Sequence, residues 1–290
     1  MNVELVLQAV FATGLAAAAV LYGTGVRRLW RRAGRGHGVS GWRVGAGAAA
    51  VLILIVALLS PLDALADDLF SAHMVQHLLL LLIAPPLLVA AAPEYVGLWG
   101  LSVPARQRLT RWWRHSPRAR SAVSRALRPG PVWAANVAIL WFWHLPTAYD
   151  AAVRHQVVHA LEHASFLIAA FFFWWLLFRH GARRRQMDRG VGLVYVFTAG
   201  LQCSALGALL ALAGSPWYAV HAHTTAAWGL TPLEDQQIAG LIMWIPAGLV
   251  YLLVAAVLFV QWIEQPTRRG AMRPGVGRMI SSRSSSAYPR

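Results

Sequence analysis

Seven apolar runs, at about 5–22, 44–60, 71–92, 131–146, 159–178, 191–213 and 236–262, divide the chain, and the segments between them alternate in charge. Each run approaches the ~20 apolar residues that a helix needs to cross a bilayer core. The segments at 23–43, 94–130 and 179–190, with the stretch after 262, hold 25 of the 26 arginines; only Arg154 lies elsewhere. The remaining segments carry Asp63, Asp67, Asp68, Asp150, Glu234 and Asp235. Basic loops stay on the cytoplasmic side of a membrane. The alternation therefore predicts an all-α polytopic membrane protein, a seven-transmembrane-helix bundle with its N-terminus outside and its C-terminus cytoplasmic. The first run has Glu4 before it and Arg27, Arg28, Arg31 and Arg32 after it, the reverse of a secretory signal, and is read as a retained helix.

Composition narrows the function. With 58% apolar and 13% charged residues the chain is built for lipid, and its formal charge of +15 sits in loops beside apolar runs, which argues for a membrane surface rather than nucleic acid. A single cysteine, Cys203, excludes a disulfide framework and a multi-thiolate metal site, and reads as a small packing residue. Residues 1–265 are expected to form one membrane domain, with 266–290 a disordered basic cytoplasmic tail. Within the domain, 94–130 mixes Trp and Leu with Arg at helical spacing, as an amphipathic segment on anionic lipid does. Pro85 and Pro86 should kink or break the third run, which a membrane tolerates only if neighbours satisfy the freed carbonyls.

The histidines are sorted. His37, His115 and His180 lie among arginines; the other eight fall at the opposite ends of the runs or in the Arg-poor segments. His73 and His77 open the third run, His144 closes the fourth, and His159 and His163 open the fifth. Residues four apart on a helix differ by about 40° in direction and 6 Å in height, so each i, i+4 pair shares a face. Two helices that each offer such a pair build a metal site inside a bundle. A lone histidine at a helix end more often bonds a backbone carbonyl, and His155, His221 and His223 keep that reading.

Imidazole suits Zn, Cu, Fe and Ni, and a thioether adds a preference for Cu(I). Met74 shares the arc of His73 and His77, and Met243 lies at a similar depth in the last run. The candidate ligands are thus His73, His77, His144, His159, His163, Met74 and Met243. Asp63, Glu162, Asp235, Gln236 and Gln237 are candidates for orienting those ligands through hydrogen bonds, or for capping helices. Gly240, one turn before Met243, allows close helix approach.

The stretches "SPLDALADDLFSAHMVQHLLLLLIAPPLLVAAAP", "WFWHLPTAYDAA", "VHALEHASFLIAAFFFWW" and "LEDQQIAGLIMW" together resemble the CtaG family of caa-type cytochrome c oxidase assembly factors, over roughly 44–262. The resemblance implies a multi-pass protein of the bacterial plasma membrane, not an enzyme. It also implies a role in maturing haem–copper oxidase by handling copper, with an oxidase subunit or a copper chaperone at the outer face as partner. The motif positions it carries over are Asp63, His73, Met74, His77, His144, Pro146, His159, Glu162, His163, Asp235, Gln236, Gln237, Gly240, Met243 and Trp244. Three other readings stay open on the residues alone. One is a Zn-dependent intramembrane hydrolase with Glu162 or Asp63 as base. Another is a haem-binding carrier with two axial histidines. The last is a scaffold whose histidines only bond backbone.

Overall fold

The computed structural model describes residues 3–178 and 187–264, and every regular element among them is helical. The expected tail at 266–290 lies outside the described residues. The helices are α1 (Val3–Ala33), α2 (Gly41–Leu59), α3 (Pro61–Asp68), α4 (Phe70–Leu78), α5 (Ala84–Ala91), α6 (Pro93–Gly100), α7 (Val103–His115), α8 (Pro117–Ala126), α9 (Pro129–Trp143), α10 (Pro146–Arg154), α11 (Gln156–Phe178), α12 (Arg189–Ala211) and α13 (Pro232–Ile263). Six candidate membrane spans result: α1, α2, α4 continued through α5, α11, α12 and α13.

The fourth apolar run does not match the others. It forms α9, 15 residues long, which at 1.5 Å per residue reaches about 22 Å, short of a ~30 Å hydrocarbon core. The cause is local. His144 leaves helical geometry at ψ 0°, and Leu145 is extended, as a residue before proline must be. Pro146 then starts α10. The arginine segment at 94–130 is helical, as its spacing predicts, and neither α7 nor α8 buries a residue. Leu109, Trp112 and Trp113 share one exposed face of α7, and the Arg106 guanidinium lies 4.4 Å over the Trp99 ring.

The third run crosses as one unit with a defect in the middle. Between α4 and α5, Leu79–Ile83 widen into a π turn, immediately after His77. Pro85 has no N–H for the Leu81 carbonyl one turn earlier. The indole of Trp174, from α11, donates to that carbonyl at 2.8 Å. The freed acceptor is thus satisfied by a neighbouring helix, as apolar surroundings demand.

α12 and α13 pack against each other more extensively than any other pair. Their closest approach is Gly207 against Gly240. A Cβ on Gly240 would fall 2.7 Å from the Gly207 carbonyl oxygen, and one on Gly207 would fall 2.8 Å from the Trp244 nitrogen. Backbone cannot give way to a side chain there, so overpacking costs on the order of 1–3 kcal/mol or more. Gly240→Val is expected to lower the thermal midpoint in detergent by roughly 5 °C or more. Gly214→Ala, where an added Cβ meets nothing within 4 Å, should leave it unchanged.

Candidate metal centre

The helix that carries His73 and His77 is held at its start by a carboxylate from another helix. Asp235, in the first turn of α13 and fully buried, accepts from the backbone N–H of Phe70 at 2.7 Å and of Ser71 at 3.1 Å, and from the Ser71 hydroxyl. These are two of the four N–H groups that open α4 and have no partner within the helix. Its negative charge also meets the positive end of the helix dipole. Asp235 therefore caps α4 and does not touch an imidazole. α13 is in turn started by a reciprocal box between Thr231 and Glu234. With Trp174 gripping Leu81, α4 is tied to α13 ahead of the histidines and to α11 beyond them.

α11 supplies the other half. His159, Glu162 and His163 are three and four residues apart, share a face, and are all buried. One ligand atom from each of His73, His77, Glu162 and His163 lies within 4.8 Å of all the others. The Glu162 carboxylate faces both α4 histidines, Oε2 lying 3.5 Å from His73 Nε2 and Oε1 3.5 Å from His77 Nε2. That is long for a hydrogen bond. Two ligands at 2.0–2.1 Å on a tetrahedral ion are about 3.3 Å apart, however, so the spacing fits donors around one cation. Glu162, expected to orient ligands, thus stands among the donors themselves.

The hydrogen-bond inventory points the same way. Both ring nitrogens of His77, Nε2 of His73, His144, His159 and His163, and both Glu162 oxygens are buried with no hydrogen-bond partner among the described residues. Each such atom costs about 1–3 kcal/mol if nothing binds it. So many at one point mark the group as a candidate ligand site. Three imidazoles and a carboxylate form a donor set suited to divalent Zn, Cu or Fe.

The remaining candidates surround this group. The His159 ring is 4.1 Å from that of His163 and 5.1 Å from that of His73, and it lines a cavity of about 30 Å³ together with His163, Asp63, Gln8 and Gln156. Asp63 accepts from Gln76 Nε2 at 2.8 Å. On the other side, the His144 ring is 6.0 Å from that of His77. Its Nδ1 donates to the Leu140 carbonyl at 2.7 Å, which leaves the Nε2 lone pair for a ligand. His77, His144, Met74, Met243 and Cys203 line a second cavity of about 20 Å³. The Cys203 thiol points at the Met243 carbonyl, 3.9 Å away, and packs as expected. Gln236 and Gln237 do not orient imidazoles. Gln236 accepts from the Trp217 N–H at 2.6 Å and Gln237 donates to the Ala213 carbonyl at 3.2 Å, pinning the loop after α12.

Two residues near the group carried no signal strong enough to single them out. Tyr149, fully buried in α10, has its ring 5.0 Å from that of His73 and its hydroxyl 2.9 Å from His221 Nε2. His221, expected to be an interfacial side chain, is buried instead; His155 and His223 are exposed. Burial pushes the His221 imidazole down to about 4 and the Tyr149 phenol well above its usual value, so both are neutral at pH 7.

Fold and site define a helical membrane protein that gathers imidazoles and a carboxylate at one point between its helices. The particular family follows from comparison. The model described as cytochrome c oxidase caa3 assembly factor (Caa3_CtaG) matches residues 20–265, and the chain belongs to that family. It is also similar to the proteins named Uncharacterized protein Mb0105, from Mycobacterium bovis, and Uncharacterized protein MT0111, from Mycobacterium tuberculosis. Each is 26% identical over 218 residues, 72% of this chain and 32% of the relative. The chain spans about a third of the length of those relatives. No solved structure matches.

Removing the Asp235 carboxylate should loosen α4. Asp235→Ala leaves the Phe70 and Ser71 N–H groups buried and unpaired, at a cost of about 2–5 kcal/mol, whereas Asp235→Asn keeps one acceptor oxygen but turns an NH2 donor toward the other N–H, and its loss should fall between wild type and the alanine variant. Thermal unfolding in detergent reads the difference. The His221 imidazole has a second consequence. Its folded value of about 4 lies below the ordinary 6.5, so the unfolded chain binds its proton first as pH falls. Stability from this group is complete above about 6.5 and is lost down to about 4. His221→Gln should make the acid loss of thermal stability shallower over that window.

Proposed function

We propose that the protein matures haem–copper cytochrome c oxidase in the bacterial plasma membrane by binding copper at the His73, His77, Glu162 and His163 group and delivering it. The observation that carries this reading is the meeting of these four buried side chains, whose facing ligand atoms have no hydrogen-bond partner among the described residues, in a chain of an oxidase assembly family. Copper is here cargo, not a resident cofactor.

The arginine asymmetry supports a seven-crossing topology, with α9 as a short crossing next to α10 and the N-terminus outside. The donors lie within the first eight residues of α4 and α11, the halves of those crossings that follow the Arg-poor segments. In that topology they face the outer leaflet, within reach of an oxidase subunit or a copper chaperone on that side. Four protein donors leave no position for an activated water, which argues for holding and passing an ion over hydrolysis. Cavities of about 20 and 30 Å³ beside the donors admit a water or a bare ion but not a porphyrin. Both points favour a non-catalytic role.

Metal content per chain tests this directly, by mass spectrometry on detergent-purified protein loaded with Cu(I), Cu(II) or Zn(II). Wild type should hold stoichiometric copper, and His73→Ala/His77→Ala and Glu162→Gln/His163→Ala should each lose it while remaining folded. Copper retained in both doubles, or zinc bound to the exclusion of copper, would sink the proposal.

A further inference from the structure

The cavity beyond His77 has a chemistry of its own. His77, His144, Asn136 and Tyr251 give it polar groups, Met74 and Met243 bring thioethers beside the Cys203 thiol, and Leu81 and Leu82 help close it. Met74 and Met243 are nearly fully buried, at 1% and 4% exposed. No carboxylate reaches it. We infer that this cavity is a second metal station, selective for Cu(I), formed by Met74, Met243, His144 and His77 and adjoining the His/Glu group through their common residue His77. The inference rests on the reading of the His/Glu group as a copper site.

Three observations carry it. The first is the donor set: thioethers are soft, neutral ligands that favour Cu(I) over divalent ions, and a buried pocket lined by no carboxylate penalises a +2 ion far more than a +1 ion. The second is the direction of the His144 lone pair. Nδ1 is committed to the Leu140 carbonyl, and the residue is fixed again where its own carbonyl accepts from the Tyr218 hydroxyl at 3.0 Å. Nε2, buried and unpartnered, is left for the cavity. The third is His77. Its Nε2 faces Glu162 at 3.5 Å, and its ring is 6.0 Å from that of His144; neither of its nitrogens has a hydrogen-bond partner. A neutral imidazole offers one lone pair, so His77 serves one station at a time. A Cu(I) ion then passes between the stations by exchange of ligands, with no change of oxidation state and no fully released ion.

The test uses the full chain in detergent under anaerobic conditions, with X-ray absorption of the Cu(I)-loaded protein and competition against a chromogenic Cu(I) chelator. Met74→Leu/Met243→Leu preserves shape and apolarity. Wild type should show sulfur scattering around Cu(I). The double variant should lose that scattering and bind Cu(I) at least tenfold more weakly, while Zn(II) binding stays intact. Cu(I) surrounded by nitrogen and oxygen alone, with affinity unchanged in the double variant, would overturn the second station and leave the His/Glu reading standing. If Glu162→Gln left all binding untouched while the methionine variant lost Cu(I), the His/Glu reading would fail and the thioether station would stand. Absence of any bound metal in wild type would overturn both.

Discussion

A carboxylate that caps a helix from outside it holds the centre of this molecule together. Asp235 takes up two backbone N–H groups and a hydroxyl at the start of α4. In water such a cap contributes about 1 kcal/mol. Buried between helices it does more, because water is not there to replace it. It also fixes the height and rotation of α4 against α13, and with them the directions of His73 and His77. Other contacts follow the same pattern, a backbone group left open by proline or in a loop being matched by one named side chain. Trp174 does this for Leu81, and Gln236 and Gln237 do it for the loop after α12.

Against that background the unmatched atoms stand out. The structure caps the start of α4 and satisfies the proline-broken span, yet among the described residues it leaves both nitrogens of His77, both oxygens of Glu162 and Nε2 of four neighbouring histidines without hydrogen-bond partners. A bundle held together only by packing would have apolar residues at these points, which would cost nothing to bury. A scaffold whose histidines bond backbone would look like His144 at its Nδ1, on every nitrogen.

Much of this was legible in the sequence because it rests on periodicity. Apolar runs of spanning length, the i, i+4 pairs, and the paired prolines each map onto local geometry, and α4, α11 and the π turn appear where those patterns point. The rest depends on which helix lies beside which. Asp235 is acidic and near a helix start, so capping was in view, but the helix it caps lies 164 residues away from it in sequence. Gln236 and Gln237 share its motif and face a loop instead. Glu162 sits between two histidines by number, and only the crossing of α4 and α11 turns its two oxygens toward His73 and His77. Tyr149 and His221 meet across 72 residues, a pairing no spacing rule encodes. The fourth run, 131–146, is short in the sequence as well, and the extended Leu145 before Pro146 ends its helix at Trp143.

If copper is cargo, as proposed, the site has to be tolerable without its ion, and the two flanking cavities bear on that. Five imidazoles and a carboxylate left dry would carry several kcal/mol of unmet hydrogen bonding, which would hold a bound ion almost irreversibly. The cavity beside His159 and His163 is lined by Asp63, Gln8 and Gln156, polar enough to hold a bridging water. Hydration from that side would lower the cost of a metal-free state, while the methionine-lined side adds thioethers that suit a soft ion. On the proposed copper reading, the first face would lower the free-energy cost of an empty site and the second would receive the ion that leaves it.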